Sequence, residues 1–158
     1  MYVVAIFFVF IVFGGIIVNT LKVSVFVRKD LLSILLLLNG AVVDKHVEKI
    51  KDEKIKASNY TCQLYGIRIA LLHVRSYFEH NGYVDAVNFE ISNSTIQKWI
   101  DKCYSKEQYQ GEFVEMMTLL NELPICYDFS VIPQPIAYKY ADEKYITNKA
   151  TVSGLDID

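Results

Sequence analysis

Residues 1–18, MYVVAIFFVFIVFGGIIV, contain no charged residue and no proline, and Phe, Val or Ile fills most positions. No other stretch narrows the choice of fold so far. A helix needs about 20 predominantly apolar residues to cross about 30 Å of hydrocarbon. The run reaches that length once Asn19 to Leu21 are counted at the interface, so residues 1–21 are read as a transmembrane anchor. No basic residue precedes the run and no A-x-A-like site follows Val18, so an uncleaved anchor is expected rather than a signal peptide. The nearby basic residues Lys22, Arg28 and Lys29 all follow it. That bias places a single-pass protein with its head on the cytoplasmic, matrix or virion-interior side. Two sequons, Asn59-Tyr60-Thr61 and Asn93-Ser94-Thr95, point to a lumenal head instead. Such short motifs arise by chance and carry less weight.

A second apolar run, Leu31 to Val43 (LLSILLLLNGAVV), has 13 residues. As a helix it measures about 20 Å, too short to cross unaided. It is expected to lie at the interface, re-enter the membrane, form a core helix, or make the short half of a hairpin. Arg28-Lys29 ahead of it also gives the layout of a secretory signal, if translation starts near Val27. Lys22 to Val27 alternates and reads as a short strand or an extended connector. Residues 22–43 are thus a connector with a second short apolar segment.

The remaining residues, 44–158, suffice for one compact domain of about 115 residues. Asp44 to Ala57 alternates charge sign and is expected to be a solvated helix. From Tyr60 to His80 the apolar residues Leu64, Ile67, Leu71, Val74 and Phe78 step by three and four, which predicts a long helix stopped by Asn81-Gly82. Val87, Phe89 and Ile91 then alternate as in a strand. Ser92-Asn93-Ser94 caps a helix over 95–104, and a further helix over 107–123 ends at Pro124. In the last third, Tyr127, Phe129 and Val131 alternate, and so do Ile136, Tyr138 and Tyr140 after Pro133-Gln134-Pro135. With Tyr145–Thr147 and Val152, Leu155 and Ile157 they predict an antiparallel sheet over 125–158. The expected fold class is α+β: an N-terminal transmembrane helix, a helical stalk, and a small head of helices packed on an antiparallel sheet.

The net charge of −2 and the pI near 5.9 offer no basic excess for phosphate neutralisation. The 11 Tyr and 9 Phe do not interleave with Lys and Arg as a single-strand groove needs. Nucleic acid is therefore not expected as a partner. Cys62, Cys103 and Cys126 are odd in number and far apart, so they read as buried free cysteines with at most one bridge. There is no glycine-rich phosphate loop, G-x-S-x-G, C-x-x-C or H-E-x-x-H. The densest ionisable group is His73, Glu79 and His80, with the two histidines seven apart and best read as structural. Asp101, Glu112 and Glu115 read as a solvated face. Met116 and Met117, beside Phe113 and Leu120, read as core ahead of a docking surface. No catalytic, cofactor-binding or metal-ligating residue is assigned. The expectation is a non-enzymatic, membrane-anchored scaffold or accessory subunit. Its partners are the lipid bilayer and protein subunits of a membrane complex, with no small-molecule substrate. The alternatives are a holin-like membrane-perturbing effector and a hydrolase pairing Cys62 or Cys103 with a histidine.

Overall fold

β1 (Thr20–Arg28) and β2 (Leu31–Leu38) form a hairpin, paired antiparallel from Leu21 opposite Leu38 to Arg28 opposite Leu31. The computed structural model describes residues 18–139. Lys29 turns the chain at φ 58°. A second tight turn, Asn39-Gly40, has φ of 51° and 88°, the left-handed pair a two-residue hairpin requires. It leads to β3 (Ala41–Lys49), antiparallel to β2 with a bulge at Leu36/Leu37. α1 (Glu53–Lys56) is capped by Asp52, whose carboxylate accepts from Lys54 N at 2.9 Å. α2 (Asn59–Asn81) starts at Ser58, whose hydroxyl accepts from Tyr60 N at 3.0 Å, and stops at Gly82, φ 84°.

β4 (Ala86–Ile91) returns parallel to β1, with Thr20 opposite Ala86 and Ser24 opposite Glu90. α3 (Ser94–Lys102), a 3₁₀ turn at Glu107–Tyr109 and α4 (Gln110–Asn121) follow. β5 (Cys126–Val131) then lies parallel to β4. The five strands are ordered β3-β2-β1-β4-β5. The sheet is mixed: an antiparallel meander of three strands extended by two parallel ones, with α2 and then α3–α4 supplying the crossovers that parallel pairing demands.

One face of the sheet carries Leu21, Val23, Val25, Val27, Leu32, Ile34, Leu36, Val87, Phe89 and Ile91, all buried. Against it pack Leu64, Ile67, Leu71 and Val74 of α2, Ile96 and Trp99 of α3, and Phe113, Met116 and Leu120 of α4. The other face holds a smaller cluster of Phe26, Leu35, Leu37 and Ala137, with Tyr138 edge-on to Phe26 at 5.0 Å. β2 is therefore buried on both sides, which is why Leu31–Leu38 is apolar at every position but Ser33, itself buried.

These observations correct the expected fold class. Thr20 and Leu21 belong to β1, and Leu21 is fully buried in the sheet, so the described end of the expected anchor is strand. Residues 1–17 lie outside the described residues. Among the described residues no helix is long and apolar enough to cross a membrane. The second apolar run is a central strand with the start of β3. The expected charged helix over 44–57 is edge strand β3 followed by the single turn of α1. Its charged side chains suit an edge that must resist pairing with other chains. The expected C-terminal antiparallel sheet is also corrected. β5 is parallel to β4, and residues 137–139 are helical, with Tyr138 N donating to Pro135 O at 2.8 Å. The strands expected beyond residue 139 lie outside the described residues.

α2 sits close on the hairpin at Gly66, where an added Cβ would lie 2.9 Å from Leu32 Cδ1 and 3.2 Å from both Val25 Cγ1 and Val27 Cγ2. Gly66→Val should therefore destabilise the fold by about 1–3 kcal/mol through overpacking. A urea denaturation midpoint equal to or above that of the unsubstituted chain would show that α2 has room to move off the sheet.

Candidate nucleic-acid interface

In an open sheet with parallel strands, ligands gather beyond the carboxyl ends of the strands, where neighbouring strands lead the chain to opposite sides. Here that point lies between β1 and β4, since β1 leads to β2 on one side and β4 leads by α3–α4 to β5 on the other. β1 ends at Arg28-Lys29-Asp30 and β4 at Ile91-Ser92-Asn93. β3 runs parallel to β1 and finishes at the same end, where Ile50 N donates to Asp30 O at 2.6 Å. α2 therefore begins above the carboxyl end of β1 and points its amino terminus there. Thr61 fixes this start by donating its hydroxyl to the carbonyls of Ile55 and Ser58.

Two adjoining clefts of about 330 and 560 Å³ open at this end. Arg28, Lys29, Asp30, Leu31 and Lys49 line the first, and Lys29, Asp30, Lys56, Ala57, Ser58, Asn59 and Cys62 line the second. Their walls thus carry four cations and one carboxylate. Lys49 Nζ stands 4.0 Å from Asp30, and Lys56 Nζ 3.3 Å from Glu53. The rest of the wall is the first turn of α2, whose unsatisfied N–H groups favour anions. Chemically, the site is suited to phosphates. Cys62 forms its floor, with the thiol 3.3 Å from Ile55 O. Burial, then the Asp30 carboxylate, push that thiol above its ordinary pKa, so it stays protonated where exposed thiols ionise.

A second polar cluster lies on the opposite face of the sheet. Glu90, 6% exposed, accepts from Ser24 Oγ at 3.0 Å and from Ile136 N at 2.8 Å. Ser24 Oγ accepts in turn from Ala137 N at 2.9 Å, and Lys22 Nζ lies 3.5 Å from the other Glu90 oxygen. A carboxylate on β4 and a hydroxyl on β1 thereby hold the first N–H groups of the turn after Pro135.

The residues singled out in the sequence are dispersed. His73 Nδ1 pairs with Asp44 of β3 at 2.8 Å, whereas His80 Nδ1 bonds the Ser76 carbonyl on the surface. His46 joins instead, 4.8 Å from His73 between ring centroids, with Nε2 2.8 Å from Glu48. Tyr65 donates to Glu48 at 3.1 Å, and burial followed by that carboxylate raises its pKa. Glu115 is paired with Arg68 at 3.1 Å. Met116 is fully buried and Met117 packs beside it. The three thiols are free, but only Cys62 is buried, which corrects the expectation for exposed Cys103 and Cys126. In the sequence Arg28 and Lys29 read only as membrane-topology signals and Lys49 and Lys56 as part of a charged helix, because the four are scattered through 29 residues that also carry Asp and Glu.

No protein-family model matches the chain, and no curated protein matches it. Solved structures do. RNase H1 from the halophilic archaeon Halobacterium salinarum NRC-1 superposes with TM-score 0.56 at 14% identity, covering 79% of this chain and 92% of that one. LC11-RNase H1 in complex with an RNA/DNA hybrid gives TM-score 0.59 at 13% identity, covering 79% and 91%. The N-terminal RNase H domain of a Mycobacterium tuberculosis protein gives 0.58 at 10%, covering 88% and 99%. The chain has an RNase H-like fold. This overturns the frame in which a membrane scaffold was expected, together with its single-pass membrane localisation. The non-enzymatic reading and the exclusion of nucleic acid are corrected with it, since these neighbours are nucleases by name and one holds a hybrid. Net charge averages over the chain, while the cations at the carboxyl end of β1 are local, so net charge is no ground for that exclusion.

Nucleases that use metal ions hold them with converging carboxylates. Arg28, Lys29 and Asp30 stand at the end of β1 and Ser92 and Asn93 at the end of β4, with Gln63 on α2 one turn ahead of Gly66, and Glu90 bonds Ser24 and the backbone through one of its oxygens. Among the described residues no group of three or more His, Cys, Asp or Glu could hold a metal ion. The described lining of the clefts offers a divalent cation a single carboxylate, Asp30, which stands 4.0 Å from Lys49 Nζ.

Two outcomes follow from this geometry. Glu90→Ala removes the acceptor of Ser24 Oγ and of Ile136 N and should cost about 1–3 kcal/mol; an unchanged thermal midpoint would show the cluster to be idle. Iodoacetamide at pH 8 should modify Cys103 and Cys126 and spare Cys62 until urea unfolds the chain. Since its folded pKa is raised, the stability from the Cys62 thiol is present below the ordinary thiol range and lost as pH rises through it. Equal labelling of all three native thiols, by peptide mass, would contradict the burial.

Proposed function

We propose that this chain is an RNase H-like protein that acts on an RNA/DNA hybrid, seating the duplex backbone at the cationic clefts beyond the carboxyl end of β1. The observation that carries the reading is the coincidence of this cationic end with the switch point of an RNase H-like sheet. The neighbour solved with a hybrid supports the ligand class. Lys29 and Lys56 bind phosphate oxygens as point charges, and the amino terminus of α2 orients the strand between them. Hydrolysis of a phosphodiester is the reaction that the neighbours' names bring to this fold. For a cation in that step the described lining of the clefts supplies the carboxylate of Asp30, and no step is routed through one.

Fluorescence anisotropy of a labelled hybrid with the full chain tests the proposal. Binding should weaken linearly in log K against log salt, and Lys29→Glu or Lys56→Glu should each weaken it and flatten the slope by about one. The same samples with Mg²⁺ or Mn²⁺, resolved on a denaturing gel, report whether strand cleavage accompanies binding. No binding of hybrid at low salt, or affinity unaffected by either lysine substitution, would sink the proposed interface.

A further inference from the structure

Three aromatic rings brace the start of α2 against the α3–α4 crossover. Tyr60 lies 5.3 Å between ring centroids from both Trp99 of α3 and Tyr109 of the 3₁₀ turn, and Trp99 stacks on Tyr109 at 5.7 Å. Trp99 also stands edge-on to Phe113 of α4 at 6.5 Å. Such ring pairs contribute beyond the area they bury. Trp99 is buried and both tyrosines are half-buried, so packing places the Tyr109 ring and its hydroxyl stays within reach of polar groups. The turn that carries it is fixed as well. Tyr109 N donates to Lys106 O at 3.0 Å, and the buried Ser105 hydroxyl donates to the same carbonyl at 3.1 Å.

The Tyr109 hydroxyl meets Ser58, the cap of α2. That hydrogen bond first, and one from Gln108 second, push the Tyr109 hydroxyl below its ordinary pKa. A hydrogen bond has this effect when it is donated to the phenol oxygen, because it favours the ionised form. Ser58 is therefore the donor and the tyrosine oxygen the acceptor. The single proton of Ser58 is thus committed to Tyr109, while its Oγ accepts from Tyr60 N at 3.0 Å. Cys62 N donates to Ser58 O at 3.1 Å, so among the described residues Asn59 N and Thr61 N are the first-turn donors left for a ligand. Ser58 itself lines the larger cleft beside Lys29, Lys56 and Asn59.

We propose that Tyr109 is a positioning residue for phosphate at this cleft: its oxygen takes the Ser58 proton, holds the cap of α2 in one rotamer, and so presets the first turn beside Lys29 and Lys56. The role rests on the reading of the clefts as a seat for the hybrid backbone. A turn ordered in advance binds an anion without the cost of ordering it during binding.

Fluorescence anisotropy of a labelled hybrid with the full chain tests this. Tyr109→Phe keeps the ring and removes the oxygen, and it should weaken binding about three- to tenfold, the scale of one hydrogen bond. Ser58→Ala should weaken binding to a similar degree, and the double variant no further, since both remove the same bond. Ser58→Thr keeps a hydroxyl at the cap and should bind as the unsubstituted chain does. Where Ser58→Ala also lowers the thermal midpoint, Tyr109→Phe and Ser58→Thr carry the test, because both retain the cap hydroxyl. Undiminished binding by Tyr109→Phe, or effects of the two substitutions that add in full, overturns the positioning role and leaves the interface standing. If the unsubstituted chain binds no hybrid, the interface itself fails, and inorganic phosphate becomes the probe. Phosphate should then shift the amide NMR resonances of Asn59 and Thr61 in the unsubstituted chain and much less in Tyr109→Phe; equal shifts in both proteins, or none in either, overturn the proposal.

Discussion

The close approach of α2 to the β1–β2 hairpin is the contact on which the rest of this molecule depends. Gly66 lies within van der Waals reach of Val25, Val27 and Leu32, so the helix axis sits lower over the sheet there than a larger side chain would allow. That height lets Ile67, Ala70, Leu71 and Val74 reach the same apolar face. It also holds the amino terminus of α2 over the carboxyl end of β1, because the helix runs back along the hairpin from that end. The cleft walls made by Lys29, Ser58 and Cys62 are thus a consequence of packing 10 Å or so away, on the scale of a helix–sheet layer. A helix lifted by one methyl group would loosen the core and the site together.

The second consequence concerns charge. The chain is weakly acidic, with 18 Asp and Glu against 16 Lys and Arg. Topology rather than composition creates the cationic end. The turn after β1, the end of β3 and the turn of α1 each contribute a cation to one place. Several acidic residues are used elsewhere: Asp44 on His73 of α2, Glu48 on His46 of β3, Asp52 on the cap of α1, and Glu115 on Arg68. Fields at clefts follow such local arrangements, and low-dielectric walls strengthen them.

Much of the helical part of this fold is legible in the sequence, and the sheet is less so. The stripe from Leu64 to Phe78 has one reading at a period of 3.6, and α2 carries it. Asn93 ahead of Ile96 and Asn81-Gly82 mark helix ends by their own capping chemistry. Leu31–Leu38 is different. A strand buried on both faces loses the alternation that would reveal it, and an unbroken apolar run is equally what a membrane segment looks like. The turns Lys29 and Asn39-Gly40 were the available signal, since Asn-Gly between apolar runs marks a hairpin. Strand direction leaves no trace in the local pattern: Tyr127, Phe129 and Val131 alternate alike in either orientation, and only the length of the α3–α4 crossover favours parallel. The site was illegible for the same reason, because Arg28, Lys49 and Lys56 meet only through tertiary contacts.

The buried Glu90 shows why fold likeness and function must be argued separately. A buried carboxylate on a central parallel strand invites a catalytic reading. Its oxygen, however, already accepts from Ser24 and from Ile136 N, and Ser24 continues the chain of bonds to Ala137 N. These bonds anchor the turn after Pro135 and lay Ala137 and Tyr138 over Phe26, Leu35 and Leu37. The other Glu90 oxygen faces Lys22 Nζ at 3.5 Å, so one side of the carboxylate is committed to the scaffold and the other to a cation of the chain itself. Glu90 is therefore best understood as part of the scaffold that closes the second face of the sheet. What the strand ends present is Lys29, Lys49 and Lys56 beside the amino terminus of α2, an arrangement suited to phosphate.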